Sequence, residues 1–256
     1  MDFTINIYKK LLVSLQQAGY HFITFDAYCK GENHDKVIIL RHDVDLLPYH
    51  SLRFAQIQAE FNIKGSYYFR AVPESWNVSV IKDIAQLGHE VGYHYENMDT
   101  AKGDVQVAKQ DFEQHLEALR QLVGVQTICM HGSPRSPYDN KDLWKHNSYR
   151  DYGIIGEPYF DMNFDDFFYL TDTGRRWDGW RVSVRDKVPQ QAQWNDKGWV
   201  YHSTTDIIKA AQNGVLPPRI MFTFHPQRWH QSLAPWCKEL VLQNAKNVVK
   251  YFMARS

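Results

Sequence analysis

The sequence predicts an α/β fold in which parallel strands form a sheet or a barrel. Short apolar runs alternate with longer segments of helical periodicity between residues 37 and 131, and this alternation is typical of strand–helix–strand units. Nearly every predicted strand also ends at a charged residue or a histidine. The carboxyl ends of parallel strands meet at one edge, where sites are built, so these observations predict a single functional rim.

The chain begins with a predicted amphipathic helix over about residues 4–19. Its leucines recur at helical spacing, and Gly19 follows as a C-cap. A short strand over residues 21–25 and a polar loop over residues 29–35 come next. These segments lead into the stretch that carries the first candidate site residues.

Residues 37–45 predict a strand that is buried on both faces and ends in charges. Four apolar residues, three of them β-branched, run directly into a segment that contains Arg41, Asp43 and Asp45. The two aspartates are two positions apart and therefore point to the same side of a strand. Two such carboxylates repel each other unless a metal ion or a proton lies between them. The alternative is a strand that simply ends in a polar loop.

The remaining elements continue the alternation of strands and helices. Further strands are predicted at residues 66–69, 90–93, 125–130, 167–170 and 219–224. Further helices are predicted at residues 51–61, 79–87, 105–123 and 204–212, with a C-terminal helix over about residues 236–253. The irregular stretch from 132 to 181 predicts long functional loops. Without a linker or a repeat, the sequence predicts one domain over residues 1–256.

Composition excludes several classes of protein. The formal net charge is zero and lysine and arginine form no long run, which argues against nucleic acid as a partner. Three widely spaced cysteines make neither a disulfide framework nor a zinc knuckle. No stretch has the apolar length of a membrane span or a secretory signal. We therefore expect a cytoplasmic protein, and the sequence says nothing about its oligomeric state.

His94 and His225 stand at the ends of predicted strands and are candidates for chemistry. His94 ends one strand on the same edge as Asp45, and a carboxylate with an imidazole is a start for a zinc site. His89 lies five positions earlier, about 16 Å away along a strand, so one metal ion cannot bind both, and we assign it to structure. His225 ends the strand at residues 219–224 and is a candidate general acid at neutral pH.

The order of these motifs resembles the polysaccharide deacetylase family, the NodB-like enzymes of carbohydrate esterase family 4. The resemblance runs from about Val37 to Trp229 and includes the sequence around residues 41–45, the segment 88–94 and the strand that ends at His225. It implies a distorted (β/α) barrel and a divalent metal ion, Zn²⁺ foremost. It also implies Asp43 as general base, Asp45 and His94 as metal ligands, and His225 as general acid.

One position departs from the family pattern. The family has a second metal-binding histidine four residues after the first, and Met98 stands there in this chain. A thioether is a poor ligand for zinc. The third ligand is therefore open between His131, Glu96 and Asp99, with the absence of a tightly bound metal as the remaining alternative.

The resemblance also suggests residues that contact the substrate. The family's Arg-x-Pro-Tyr motif matches Arg135 and Tyr138 by letters, whereas His131 stands directly at a strand end, where the family's arginine stands. We prefer His131 for that position and keep Arg135 as a secondary candidate. Trp177 lies in a segment that corresponds loosely to a tryptophan region of the family.

The function implied by the resemblance is a metal-dependent hydrolase that removes N-acetyl groups from an amino sugar of a glycan or a glycan precursor. The expected partner is a carbohydrate or an N-acetylated small molecule. Two alternatives stand beside it. Met98 favours a weakened family member that binds carbohydrate without turnover, and the same fold could also host hydrolysis of another C–N bond in a small molecule.

Overall fold

The computed structural model describes residues 1–133, 136–181 and 188–253 of the chain. Seven parallel strands form one sheet, and it curls into an incomplete barrel surrounded by helices, which confirms the predicted fold class. The strands are β1 (His21–Ile23), β2 (Val37–Val44), β3 (Ser66–Phe69), β4 (Glu90–Tyr95), β5 (Ile128–Met130), β6 (Phe168–Thr171) and β7 (Arg219–Phe224). Their order is β5-β4-β3-β2-β7-β6, and β1 pairs with the first residues of β2.

Ten α-helices accompany the strands in the described part of the chain. They are α1 (Ile5–Gln17), α2 (Phe25–Cys29), α3 (Pro48–Glu60), α4 (Val78–Gln86), α5 (Asn97–Thr100), α6 (Val105–Arg120), α7 (Pro158–Asp161), α8 (Gln191–Asp196), α9 (Thr204–Gln212) and α10 (Leu233–Met253). None of these helices is long and apolar enough to cross a membrane.

The predicted elements are present, with differences at their ends. The strand predicted at residues 21–25 stops at Ile23, because Thr24 caps the short helix α2 by accepting a hydrogen bond from the Ala27 amide. The strand predicted from residue 125 begins only at Ile128. The short helices α2, α5, α7 and α8 were not predicted, because four to six residues give too little periodicity to recognise.

Strand β2 lies at the centre of the sheet and is buried along its whole length, as predicted. It pairs with β3 and β1 on one side and with β7 on the other. Successive side chains alternate between the two faces of the strand. Arg41 and Asp43 share one face and bind each other, while His42 between them packs at 4.0 Å against the Tyr67 ring.

Two buried histidines have structural roles in the sheet. Nδ1 of His42 lies 3.0 Å from the Ser66 carbonyl, and burial lowers the pKa of this imidazole to about 3, so it is neutral. His89 accepts a hydrogen bond from the Gly65 amide at 3.1 Å, and its Nε2 lies 3.0 Å from the Ala55 carbonyl. These contacts agree with the structural role that the sequence assigns to His89.

Candidate active site

The carboxyl ends of six strands bring charged and imidazole side chains to one rim. Contributing residues are Asp43 and Asp45 from β2, Arg70 after β3, His94 and Glu96 from the end of β4, His131 after β5, Asp172 after β6 and His225 after β7. All of these side chains are buried or largely buried. The rim is therefore a dense polar cluster in a poorly solvated environment, where charges must find partners.

Asp45 lies at the centre of this cluster. Its Oδ1 is buried, has no hydrogen-bond partner and lies 3.7 Å from Nε2 of both His94 and His131. Its Oδ2 accepts a hydrogen bond from Gln227 Nε2 at 3.1 Å and lies 3.9 Å from Nε2 of His225. Burial raises the pKa of Asp45, but His131, His225 and His94 together lower it below its usual range.

The two imidazoles that face Asp45 Oδ1 are held from behind. Nδ1 of His94 lies 2.9 Å from the Cys129 carbonyl, and Nδ1 of His131 lies 2.8 Å from Glu96 Oε2. These contacts leave Nε2 of each ring directed at the same carboxylate oxygen. A carbonyl or a carboxylate behind the ring is the usual arrangement for a metal-binding histidine.

Each of the two distances at Asp45 Oδ1 suits a pair of ligands of one divalent metal ion. Two ligand atoms of a tetrahedral zinc ion at about 2.1 Å each are separated by about 3.4 Å, close to the 3.7 Å between Asp45 Oδ1 and each Nε2. Burial lowers the pKa of His94 to about 4, which keeps its ring neutral and able to ligate. The orphaned carboxylate oxygen is the atom that such an ion would satisfy.

Asp43 is paired in a different way from Asp45. Arg41 Nε and Nη2 donate to the two carboxylate oxygens of Asp43 at 2.8 and 2.7 Å. Asp43 Oδ2 also lies 3.8 Å from His94 Nε2. Burial raises the pKa of Asp43, but the Arg41 guanidinium and His94 outweigh it and hold the pKa well below its usual range. The carboxylate is therefore ionised and fixed beside the predicted ligands.

His225 is oriented by a fully buried carboxylate. Its Nδ1 lies 2.5 Å from Asp172 Oδ1, and its backbone amide also donates to Asp172. The indole Nε1 of Trp229 donates to Asp172 Oδ2 at 2.7 Å, and Arg228 Nη1 lies 3.3 Å from Asp172 Oδ1. Asp172 thus fixes the ring so that Nε2 points toward Asp45.

Met98 does not occupy the position of a ligand. It lies in the four-residue helix α5 directly after β4 and is buried in the hydrophobic core. His131, which follows the next strand, places its Nε2 3.7 Å from Asp45 Oδ1, and its amide donates to the Tyr95 carbonyl at 2.9 Å. This contact extends the pairing of β4 and β5 by one residue and places His131 beside His94.

The other two candidates for the third ligand are already bound. Both oxygens of Glu96 accept hydrogen bonds from Arg70, at 3.0 and 2.8 Å. The Asp99 oxygens accept hydrogen bonds from Ser136 and Asn140. Glu96, Asp99 and His131 do approach within 4.8 Å of one another. Because Glu96 and Asp99 already accept these hydrogen bonds, His131 is the better candidate in that cluster. Its Nε2 is the atom that faces Asp45.

A second group of ligand-type atoms includes two residues of the rim. Asp43, His94 and Cys129 bring an oxygen, a nitrogen and the sulfur within 4.8 Å of one another. Asp43 is held at both oxygens by Arg41, whose positive charge disfavours a cation there. Asp45 Oδ1, which has no such cationic partner, is therefore the better carboxylate oxygen for a cation.

Of the three residues predicted to contact the substrate, the structure describes Tyr138 and Trp177. Arg135 lies outside the described residues. Tyr138 is half-buried and its ring packs over Gly103, where a Cβ would come within 2.5 Å of the ring. Trp177 does not fit its predicted role, because it is 2% exposed and its indole donates to Thr204 Oγ1 at 2.9 Å in the core. Its ring lies against Phe222 and Phe224 of β7.

Four residues in the rim or in contact with it were not predicted as site residues from the sequence. They are Arg41, Arg70, Asp172 and Gln227. The sequence contains a signal for two of them. Arg70 stands at the end of a predicted strand, and Arg41 stands two positions before Asp43. Asp172 follows the apolar run of β6 by one residue, so the same rule of strand ends would have found it.

Comparisons with known proteins find structures but no sequence relatives. No family model matches the chain, and no curated protein matches it by sequence. An esterase of carbohydrate esterase family 4 from Streptococcus mutans is 13% identical. The match covers 92% of this chain and 90% of that chain at a TM-score of 0.46.

Three further solved structures are similar at the same level. The peptidoglycan N-acetylglucosamine deacetylase Bc1960 is 13% identical over 92% of this chain and 89% of that chain, at a TM-score of 0.44. The pseudoenzyme BA3943 of carbohydrate esterase family 4, from Bacillus anthracis, is 14% identical over 86% of this chain, at a TM-score of 0.44. This match spans 63% of the length of BA3943. A BA3943 mutant has restored enzymatic activity, and the match spans 65% of its length.

Proposed function

We propose that this chain is a divergent member of the polysaccharide deacetylase family and a metal-dependent hydrolase that removes N-acetyl groups from an amino sugar. The observation that carries the proposal is the buried Asp45 Oδ1, which lacks a hydrogen bond and faces Nε2 of His94 and His131 at 3.7 Å. The ionised carboxylate of Asp43 and the oriented imidazole of His225 flank this centre, as acyl transfer to water requires.

Asp45, His94 and His131 would hold the metal ion. Two imidazoles and one carboxylate form a ligand set of the catalytic zinc type, which leaves a position open for water or substrate. When bound, the ion polarises the amide carbonyl and lowers the pKa of water at the site. The three residues come from three different strand ends, so the folded sheet supplies the geometry.

Asp43 receives a proton from the attacking water in this proposal. Its Oδ2 lies 3.8 Å from Nε2 of His94, on the side of the predicted ligands. Arg41 keeps the carboxylate ionised and fixed, and each oxygen retains a lone pair that can accept a hydrogen bond from water. The positive charge of Arg41 also weakens Asp43 as a base in the ground state, so the proton transfer depends on close alignment with the water.

His225 delivers a proton to the leaving nitrogen. Asp172 holds Nδ1 of the ring, which leaves Nε2 as the atom that exchanges the proton. Water adds to the carbonyl carbon, the C–N bond breaks, and the nitrogen leaves as an amine with the proton from His225. The products are acetate and a free amino sugar.

The feature that favours a non-catalytic carbohydrate binder is Met98. Met98 is buried in the core and supplies no ligand, yet Asp43, His225 and the three groups that would hold a metal ion all lie at the rim. This complete set supports hydrolysis over binding alone.

Acetate release tests the proposal. The purified chain, freed of metal with a chelator and reloaded with Zn²⁺, Co²⁺ or Ni²⁺, would be assayed with N-acetylated amino sugars and their oligomers. We expect acetate from at least one of these substrates only after reloading. No acetate from any of them by metal-loaded protein would overturn the proposal, and turnover of ureides or cyclic amides instead would identify a hydrolase of another C–N bond.

A further inference from the structure

We propose that Arg70 and Glu96 are positioning residues that align His131 and Asp45 as metal ligands. The inference rests on the proposed function and concerns the part of the site in which this chain departs from the family pattern. His131 follows a strand of only three residues, β5, and the protein must hold its ring in place by other means.

Glu96 fixes the ring of His131. Its Oε2 lies 2.8 Å from His131 Nδ1, and its side chain is 11% exposed. Because Nδ1 is the nitrogen that points away from Asp45, this contact sets which nitrogen faces the centre. A carboxylate behind a metal-binding histidine orients the ring and makes it a stronger ligand.

Arg70 fixes Glu96 and reaches Asp45 as well. Its Nε and Nη2 donate to the two oxygens of Glu96 at 3.0 and 2.8 Å, in the bidentate geometry that only a guanidinium provides. Its Nη1 donates to the backbone carbonyl of Asp45 at 3.3 Å. One side chain after β3 thus connects the end of β2 with the end of β4.

The chain of contacts links two of the three predicted ligands. It runs from the Asp45 carbonyl through Arg70 and Glu96 to His131, while His94 is held separately by the Cys129 carbonyl. A shift of Arg70 or Glu96 would therefore displace His131 and Asp45 relative to His94. Removal of such supporting partners weakens metal binding by about 10–100-fold in known sites.

The test measures Zn²⁺ affinity by competition with a chromophoric chelator, together with the visible spectrum of the Co²⁺-loaded protein. The variants are Arg70→Lys and Glu96→Gln. Arg219→Lys serves as the matched control, because Arg219 pairs with Asp166 at the opposite, amino edge of the sheet. We expect affinity to fall about 10–100-fold in both test variants, with an altered Co²⁺ spectrum, and to stay within about twofold in the control.

A double variant separates positioning from general stability. If Glu96 acts through His131, Glu96→Gln has no further effect on Zn²⁺ affinity once His131→Ala is present. Additive losses would overturn the inference, as would unchanged affinity in both single variants when the wild-type chain binds Zn²⁺. Tighter binding by Arg70→Lys would also overturn it, because Glu96 would then be a ligand that Arg70 restrains. Failure of the wild-type chain to bind Zn²⁺ would instead remove the proposed function.

Discussion

Asp43 and Asp45 show how two carboxylates at one strand end acquire different roles from their neighbours. Arg41 binds both oxygens of Asp43 and neutralises its charge, whereas Asp45 keeps one buried oxygen without any hydrogen bond. The two like charges therefore have different surroundings. This difference in partners is the physical reason to assign the base to Asp43 and the ligand to Asp45.

Replacing Asp43 with asparagine tests that assignment. The isosteric amide keeps the shape but cannot accept a proton from water, so we expect acetate release to fall by about 10²–10⁴-fold. Zn²⁺ affinity should stay within about tenfold, because Asp43 is not in the ligand set. Equal loss of acetate release and Zn²⁺ binding would mean that the roles of Asp43 and Asp45 are interchanged.

Replacing Asp172 with asparagine tests the orientation of His225. The neutral amide carries no negative charge to orient the Nδ1–H group of His225. We therefore expect kcat to fall by about 10²–10⁴-fold, the usual cost of losing a proton-transfer group. Zn²⁺ affinity should not change, because Asp172 contacts His225 and not the predicted ligands. Asp178→Asn is the control, since Asp178 is a buried carboxylate 3.2 Å from the ring nitrogen of His202. Equal kcat values for both variants would contradict the role of Asp172.

Single residues of the site were predictable where they follow an apolar strand. Asp43, Asp45, His94 and His225 were selected in this way, and the structure places all four at one rim. Their partners depend on contacts between strands that are distant in sequence, such as Asp172 with His225. Such pairs carry no local periodicity, so a single sequence does not reveal them.

At the scale of elements, the close approach of β3 and β4 depends on a glycine. A Cβ on Gly92 would lie 2.4 Å from the Tyr68 ring and 2.8 Å from the Thr127 carbonyl oxygen. Both neighbours belong to the packed interior beside β4, which carries His94. Gly92 is therefore required for packing rather than for chemistry.

Gly92→Ala should lower the free energy of unfolding by about 1–3 kcal/mol, because overpacking forces neighbouring groups to move. Gly124→Ala is the matched control, since a Cβ there meets no atom within 4 Å. Urea unfolding followed by circular dichroism measures both. A Gly92 variant as stable as the Gly124 variant would show that the sheet can relax around the added methyl group.

The amino end of β4 carries a carboxyl group that responds to pH. Burial, together with the charge of Asp26, raises the pKa of Glu90 to about 7, although hydrogen bonds from Ser66 and Thr127 lower it. A raised folded-state pKa means that stability is fully present below the unfolded pKa near 4.5 and is lost as the pH rises toward 7.

Glu90→Gln removes this pH-dependent loss. The difference in unfolding free energy, variant minus wild type, should rise by about 2 kcal/mol between pH 5 and pH 8. Comparing the two proteins at each pH cancels the contributions of the buried histidines. Urea unfolding at both values measures the difference, and a constant difference would show that Glu90 ionises at an ordinary pH in the folded chain.

At the scale of the whole molecule, the alternation of strands and helices was sufficient to predict a parallel sheet with one functional edge. It did not predict the order of the strands, because β7 inserts beside β2 only when the whole sheet is assembled. That order brings His225 close to Asp45, which lies 180 residues earlier in the sequence (225 minus 45). The convergence of six strand ends is therefore a property of the topology rather than of any local segment.

The same assembly bears on the position of Met98. Parallel neighbours β4 and β5 bring His94 and His131 side by side, so in the proposed metal site His131 would supply the ligand that Met98 does not. The sequence left three candidates for that position. The contacts made by Glu96 and Asp99 favour His131.

A Zn²⁺ titration of the chelator-treated chain by calorimetry tests the central claim most directly. The wild-type chain and His115→Ala should each bind one ion per chain, because His115 lies on α6 and pairs with Asp111 outside the rim. His131→Ala should bind Zn²⁺ measurably more weakly than the wild type while it remains folded. A wild-type chain that binds no Zn²⁺, or a His131 variant that binds as tightly as the wild type, would contradict the assignment of Asp45, His94 and His131 as the metal site.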